Sequence, residues 1–206
     1  LVYEINSNSN TSAGAFYRYG DNVESSANIN ERDYYARDFK LIYGNRTSDS
    51  DTYSEIKSLV EWVSVAEQDL FRETISEHFN KEYLFRYLLT VLMIGGVDSL
   101  GKNMKLTSFD GGLTWYPQVY DADTTIGLDN TGFLKFDMDI EMGDANVFNT
   151  TGSKLWQRVV LQFDADLKAQ YSLMRQDRFT VDNIMKYLYG EQISQIPATF
   201  YNKDMQ

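Results

Sequence analysis

The sequence predicts an α+β domain, mostly helical, with a β-hairpin at its centre. Three features of its 206 residues point that way. Apolar residues recur at helical spacing through most of the chain after Thr52. Two strand-like runs meet across Asp110-Gly111-Gly112, a sequence with strong hairpin chemistry. A hydrophobic content of 43%, with 15% aromatics, is enough to bury a proper core.

Taken in order, residues 1–50 are rich in Asn, Ser, Gly and Tyr, with short apolar runs such as Phe39-Lys40-Leu41-Ile42-Tyr43. They read as extended segments and loops with an edge strand or two. From Thr52 the spacing of Ile56, Leu59, Val60, Val63 and Leu70 predicts one amphipathic helix running towards Phe79. Asn80 is placed to cap a second helix, Lys81 to Ile94, which is apolar nearly all round and so belongs in the middle of the domain. Gly95-Gly96 ends it with left-handed geometry that glycine adopts cheaply. The hairpin strands are Asn103 to Phe109 and Leu113 to Tyr120. An acidic, loop-rich stretch fills 121–150. Ser153 is placed to cap a long helix with Leu155, Val159, Phe163, Leu167 and Tyr171 on one face. Thr180 caps a last helix through Ile184, Tyr187 and Leu188. Trp62, Trp115 and Trp156 fall on apolar faces and are assigned to the core. His78, the single histidine, is read as a surface or helix-end residue rather than a base.

Composition excludes several classes. A formal net charge of −11 and 30 acidic against 19 basic residues argue against a nucleic-acid partner, whose phosphates attract clustered Lys and Arg. Without cysteine there is neither a disulfide framework nor a thiolate metal site. The longest apolar stretch, Leu84 to Val97, contains Arg86 and Thr90 and is too short for membrane insertion. No signal peptide is visible, and the chain reads as a piece of a longer polypeptide.

The residues that carry chemistry lie around the hairpin. Asp98 follows the double glycine, and Asn103 stands five residues later, the spacing of a kinase catalytic loop. Alone that signal is weak, because Asp and Asn in loops more often form turns. After the second strand comes Tyr120-Asp121-Ala122-Asp123-Thr124-Thr125-Ile126-Gly127. Carboxylates at the end of a strand suit a hard divalent cation, since the sheet fixes them while the loop stays open. A loop Asp and Asn, a hairpin, and then a metal-binding Asp is the order of parts in a kinase C-lobe.

Three other readings compete. Val119 to Thr125 also matches the first motif of haloacid-dehalogenase-type phosphatases, but that family needs a parallel sheet. Asp121, Asp123 and Thr125 alternate like the start of an EF-hand, yet its sixth and twelfth positions hold Ile126 and Gly132 instead of Gly and Glu. A non-EF calcium site stays open. Asp137, Asp139, Glu141 and Asp144 read first as the solvated face of a strand and second as another cation site.

At these residues the chain resembles the spore-coat CotH kinase-like domain, with Tyr120 where the usual motif has Trp. The resemblance covers roughly 50–206. It implies a protein-kinase-like C-lobe over 51–206 and a partial N-lobe or irregular extended segment over 1–50. It further implies Asp98 as catalytic aspartate, Asn103 as a magnesium ligand and Asp121 as the aspartate bridging metal and nucleotide phosphates. Asp123 is then a second ligand, and the roles of Asp121 and Asp123 are interchangeable on spacing. Lys102 adjoins the site within reach of a phosphate. Ser99-Leu100-Gly101-Lys102-Asn103 and Leu128-Asp129-Asn130-Thr131-Gly132 are more loosely similar to CotH-like segments of phage tail-associated virion proteins. No Gly-rich loop precedes Asp98, and Arg32, Arg37 and Lys40 are the cations available to clamp a nucleotide.

Two functions follow from the resemblance. The first is a phage tail-associated structural protein, located in the virion, whose partners are other virion proteins and whose divalent cation is structural. The second is an active atypical Ser/Thr kinase using Mg2+ and ATP on a protein substrate, located in the bacterial cytoplasm or at the spore or cell surface.

Overall fold

Alternating polarity sets the sheet. In strand β1, Val2–Asn6, Tyr3 and Ile5 are buried while Glu4 between them is not. The computed structural model of the chain describes residues 1–6, 11–22, 26–44, 53–96, 99–122, 125–126 and 152–190. Among them a 3-10 turn, Ala13–Ala15, and helix α1, Glu31–Asp38, lead to β2, Phe39–Tyr43. Helices α2 (Ser54–Val65), α3 (Gln68–His78) and α4 (Lys81–Ile94) follow. Then come β3 (Lys102–Thr107), β4 (Tyr116–Val119), α5 (Lys154–Gln162), α6 (Asp164–Gln176) and α7 (Val181–Tyr189). The expected α+β class is what the structure has.

The four strands form one antiparallel sheet in the order β2-β1-β3-β4. One face carries Tyr3, Ile5, Phe39, Leu41, Met104 and Leu106, all buried. The other carries a polar row running straight across the sheet, Lys40 opposite Glu4, Glu4 opposite Lys105, and Lys105 opposite Gln118. The hairpin strands are shorter than the sequence suggests. Residues 108–115 form the connection, where the Asp110 carboxylate accepts the Ser108 hydroxyl and the Thr114 amide. Helix α4 packs along β4, and the chain passes from α3 to α4 through Phe79, bridged to Trp115.

Helix α4 starts and stops as its sequence requires. The Asn80 side chain accepts from the Tyr83 amide at 2.9 Å. Gly95 turns left-handed at φ 66°, so its amide reaches Leu92 and that of Gly96 reaches Val91, closing a Schellman motif.

Three expectations need correction. Residues 1–50 are not only strands and loops, because α1 is a capped helix. The Asn30 side chain accepts from the Asp33 amide and donates to the Asp33 carboxylate, and Tyr34, Tyr35 and Asp38 are buried.

The single helix expected over 52–79 breaks at Ala66-Glu67, where both residues are extended. The Arg158 guanidinium caps the break, donating to the carbonyls of Val63, Ala66 and Glu67. The break also changes the inward residue: Phe71 is fully buried and Leu70 is 48% exposed, whereas an unbroken helix would have turned Leu70 inward.

The long helix expected from Ser153 likewise ends at Gln162. Phe163 leaves helical geometry and buries its ring beside Phe71 and Phe85, and Arg72 donates to the Gln162 carbonyl. Ser153 occupies the N-cap position, but its hydroxyl makes no capping bond and finds no partner among the described residues. Tyr171, expected on the apolar face, is 41% exposed.

The described chain forms two compact units, Leu1–Asp164 and Ala165–Gln206. The first holds the sheet and α1 to α5. In the second, α7 is capped by Thr180, which accepts from the Asn183 amide, as its sequence indicates. No described helix is long and apolar enough to cross a membrane.

Candidate functional site

The hairpin has a built irregularity at the position the sequence singles out. Ile5 pairs with Met104, but Asn6 pairs with Lys102, so Asn103 is an extra residue in β3, a β-bulge. Its φ of 54° is left-handed, a conformation that Asn accepts more readily than most residues. Bulges re-aim a side chain away from simple strand alternation. The Asn103 carbonyl accepts the Tyr120 amide at 3.1 Å. Asp121 follows at once, also left-handed at φ 55°, and is exposed. Two residues 18 positions apart in sequence thus stand at the same end of one hairpin. Lys102 opens β3 opposite Asn6 and is half-buried.

The segments on either side are tied to the core. Gly96 and Ser99 bracket positions 97 and 98 in the chain, and the Ser99 amide donates to the Gly96 carbonyl. Within the buried layer below, the Tyr87 hydroxyl donates to the Ser99 carbonyl at 2.5 Å. The Trp156 indole donates to the adjacent Leu100 carbonyl at 2.8 Å. These two rings stack with centroids 5.6 Å apart and planes 15° apart. Burial pushes the Tyr87 phenol well above its ordinary pKa, so it stays a donor at any physiological pH. A Cβ on Gly96 would lie 3.2 Å from the Ser99 hydroxyl and 3.3 Å from Val91. The bare backbone therefore lets this turn sit close to α4. Beyond Asp121, the Ile126 amide donates to the Ile94 carbonyl at the end of the same helix.

Of the five residues the sequence proposes, Asn103 and Asp121 are brought together by the hairpin and Lys102 adjoins them. Asp98 and Asp123 lie outside the described residues, as do 128–132 and the acidic run 137–144. No three His, Asp or Glu side chains converge as a metal site among the described residues.

Charge near the hairpin comes from a residue the sequence reading passed over. The Lys105 ammonium sits 3.7 Å from the centroid of the Tyr120 ring. Alternation along β3 was the available signal. Among the cations of the first 50 residues, Arg37 is bound to the buried carboxylate of Asp38 and lies over the Tyr34 ring. Asp38 in turn accepts the Gly14 amide, so this pair fastens α1 to the 3-10 turn. Arg32 is exposed on α1, and Lys40 is on β2 beyond Glu4. His78 ends α3 as the sequence suggests, stacked on the half-buried Trp62 at 3.9 Å. Trp115 and Trp156 are fully buried.

Compared with protein-family models, residues 3–206 match the family described as CotH kinase protein. No curated protein matches the chain.

Proposed function

We propose, since this chain belongs to the CotH kinase protein family, that it transfers the γ-phosphoryl group of ATP to a hydroxyl of a protein substrate, with Mg2+ as the metal. The observation that supports this most is the bulge at Asn103, which aligns an Asn and the Tyr120-Asp121 step at one hairpin end. Two adjoining left-handed, non-glycine residues cost conformational energy of order 1–3 kcal/mol each, less for Asn and Asp, and such strain concentrates at functional sites.

The donor set fits the ion. Asn103, Asp121 and Asp123 offer hard oxygen atoms only, with neither imidazole nor thiolate among them, which suits Mg2+ rather than zinc. The Asn103 amide oxygen and the Asp121 carboxylate would hold the cation, with Asp123 as the further ligand. A Mg2+ held there would supply positive charge against the phosphates during phosphoryl transfer. Asp98 orients the acceptor hydroxyl and takes its proton. The Tyr87 and Trp156 bonds to carbonyls 99 and 100 fix the chain just after Asp98, so that catalysis rests on positioning.

The test is thermal melting with and without Mg2+ and ATP. Nucleotide at about 100 times its dissociation constant stabilises the folded chain by about 2.7 kcal/mol through mass action. The shift is expected in the wild type and not in Asp121→Asn. An unchanged midpoint at millimolar nucleotide ends this reading.

A second reading, a structural role in a phage tail with other virion proteins as partners, is supported by the wording of residues 99–103 and 128–132. It predicts the protein at fixed copy number in purified particles, and absence there ends it. The kinase reading puts the protein at the spore or cell surface or in the bacterial cytoplasm.

A further inference from the structure

We propose that Lys105 is the cation that meets the phosphate groups at this hairpin, and that the ring of Tyr120 positions it there. The inference rests on the metal-and-nucleotide reading above, and it adds to Lys102, which adjoins the same hairpin end, a cation whose position a ring fixes.

Negatively charged phosphates need a positive partner besides the metal, and Arg37 is occupied by the buried Asp38. Lys105 is two residues beyond Asn103 on the same strand and directly opposite Gln118, two residues before Tyr120. Its ammonium does not lie along the strand but over the Tyr120 ring, 3.7 Å from the centroid, and Asp121 is the next residue. The ring lends its electron-rich face to the cation without neutralising it, and it accepts none of the three N–H bonds an ammonium offers in the way a carboxylate would. Among the described residues the Lys105 ammonium has no carboxylate partner.

The surroundings favour an anion at this spot. The polar face of the sheet runs Lys40, Glu4, Lys105, Gln118 across its four strands. That row carries two cations and one carboxylate, a local excess of positive charge in a chain of net charge −11. Glu4 stands between the lysines, so the end nearer Asn103 and Asp121 is left to Lys105. An ammonium is a compact point charge and binds phosphate well when a fixed neighbour limits its freedom. Tyr120 is 39% exposed, so the ring and the ammonium above it are open to a ligand.

The experiment titrates the full chain with Mg2+ and ATP, with tripolyphosphate and with adenosine, followed by calorimetry. Four variants are compared: Lys105→Met, Lys105→Arg, Tyr120→Phe and Tyr120→Leu. Lys105→Met is expected to weaken ATP and tripolyphosphate about tenfold or more, equivalent to about 1.4 kcal/mol, with adenosine unchanged. Lys105→Arg and Tyr120→Phe, which keep the charge and the ring face, are expected to stay near wild type. Tyr120→Leu is expected to follow Lys105→Met for the phosphate-bearing ligands alone. Melting of the unliganded variants controls for folding, and if Lys105→Met is unstable Tyr120→Leu decides, with wild-type phosphate binding there overturning the role of the Lys105–Tyr120 pair. If wild type binds and Lys105→Met binds the phosphates equally well, the role of Lys105 is overturned while the parent reading stands. If wild type ignores ATP and tripolyphosphate alike, both are overturned.

Discussion

Replacing Tyr87 by Phe removes one oxygen from the layer beneath the candidate site and keeps the ring. That oxygen donates to the Ser99 carbonyl at 2.5 Å, and both residues are buried, Tyr87 at 5% and Ser99 at 2% exposure. The loss is therefore more than one average bond. A buried carbonyl left unsatisfied costs about 1–3 kcal/mol, so a destabilisation of about 2 kcal/mol is expected. In a chain of this size that lowers the melting midpoint by roughly 4–8 °C. Trp156→Phe removes the neighbouring bond to Leu100. Because the two rings stack 5.6 Å apart, the double variant should depart from additivity by about 0.5–1.5 kcal/mol. Urea melts of wild type, both single variants and the double variant give all the terms of the cycle. Hydrogen exchange at the Ser99, Leu100 and Gly101 amides should quicken in Tyr87→Phe relative to the sheet. A Tyr87→Phe variant within about 0.5 kcal/mol of wild type, the range of ordinary surface changes, would refute the reasoning.

Two further outcomes are expected. Arg158→Ala should cost about 2–4 kcal/mol, because it uncaps α2 and takes a cation from over the Phe71 ring, and Arg158→Lys should restore only part of it; urea midpoints measure both, and an Ala variant as stable as wild type contradicts the capping role. Burial holds the His78 imidazole below its ordinary pKa of 6.5, with Glu77 opposing more weakly. The unfolded chain therefore binds the proton first, and the stability His78 contributes is complete above pH ~6.5 and is lost as pH falls below it. His78→Gln should flatten that part of the decline, whereas parallel pH profiles for the two proteins would contradict it.

The apolar helices that carry their own caps, α4 and α7, were legible in the sequence. Asn80 and the Gly95-Gly96 pair delimit α4 because cap and helix are neighbours in the chain. The breaks in the other two long helices were not legible, and the reason is physical. Neither Ala66-Glu67 nor Phe163 is a helix breaker by composition. The terminal carbonyls there are satisfied by Arg158 and Arg72, residues 92 and 90 positions away from Ala66 and Gln162. Local spacing cannot register a cap that arrives from another helix. Helix α1 was missed for a related reason: it is too polar to show an apolar stripe, and only Asn30 with Asp33 marks its start.

The candidate site divides along the same line. Asn103 and Asp121 were found from spacing and residue type, whereas the bulge that makes Asn103 unusual depends on its register with β1. Lys105 escaped notice because its contact with Tyr120 is a diagonal across two strands, visible only once Met104 is paired with Val119.

Counting bound Mn2+ by electron paramagnetic resonance, in the presence of ATP, tests the central claim most directly, since Mn2+ replaces Mg2+ on oxygen ligands. The account predicts saturable, ATP-dependent binding to the wild-type chain, sharply weakened in Asp121→Asn and in Asn103→Ala. Wild-type binding that both variants retain, or no ATP-dependent binding at all, would contradict it.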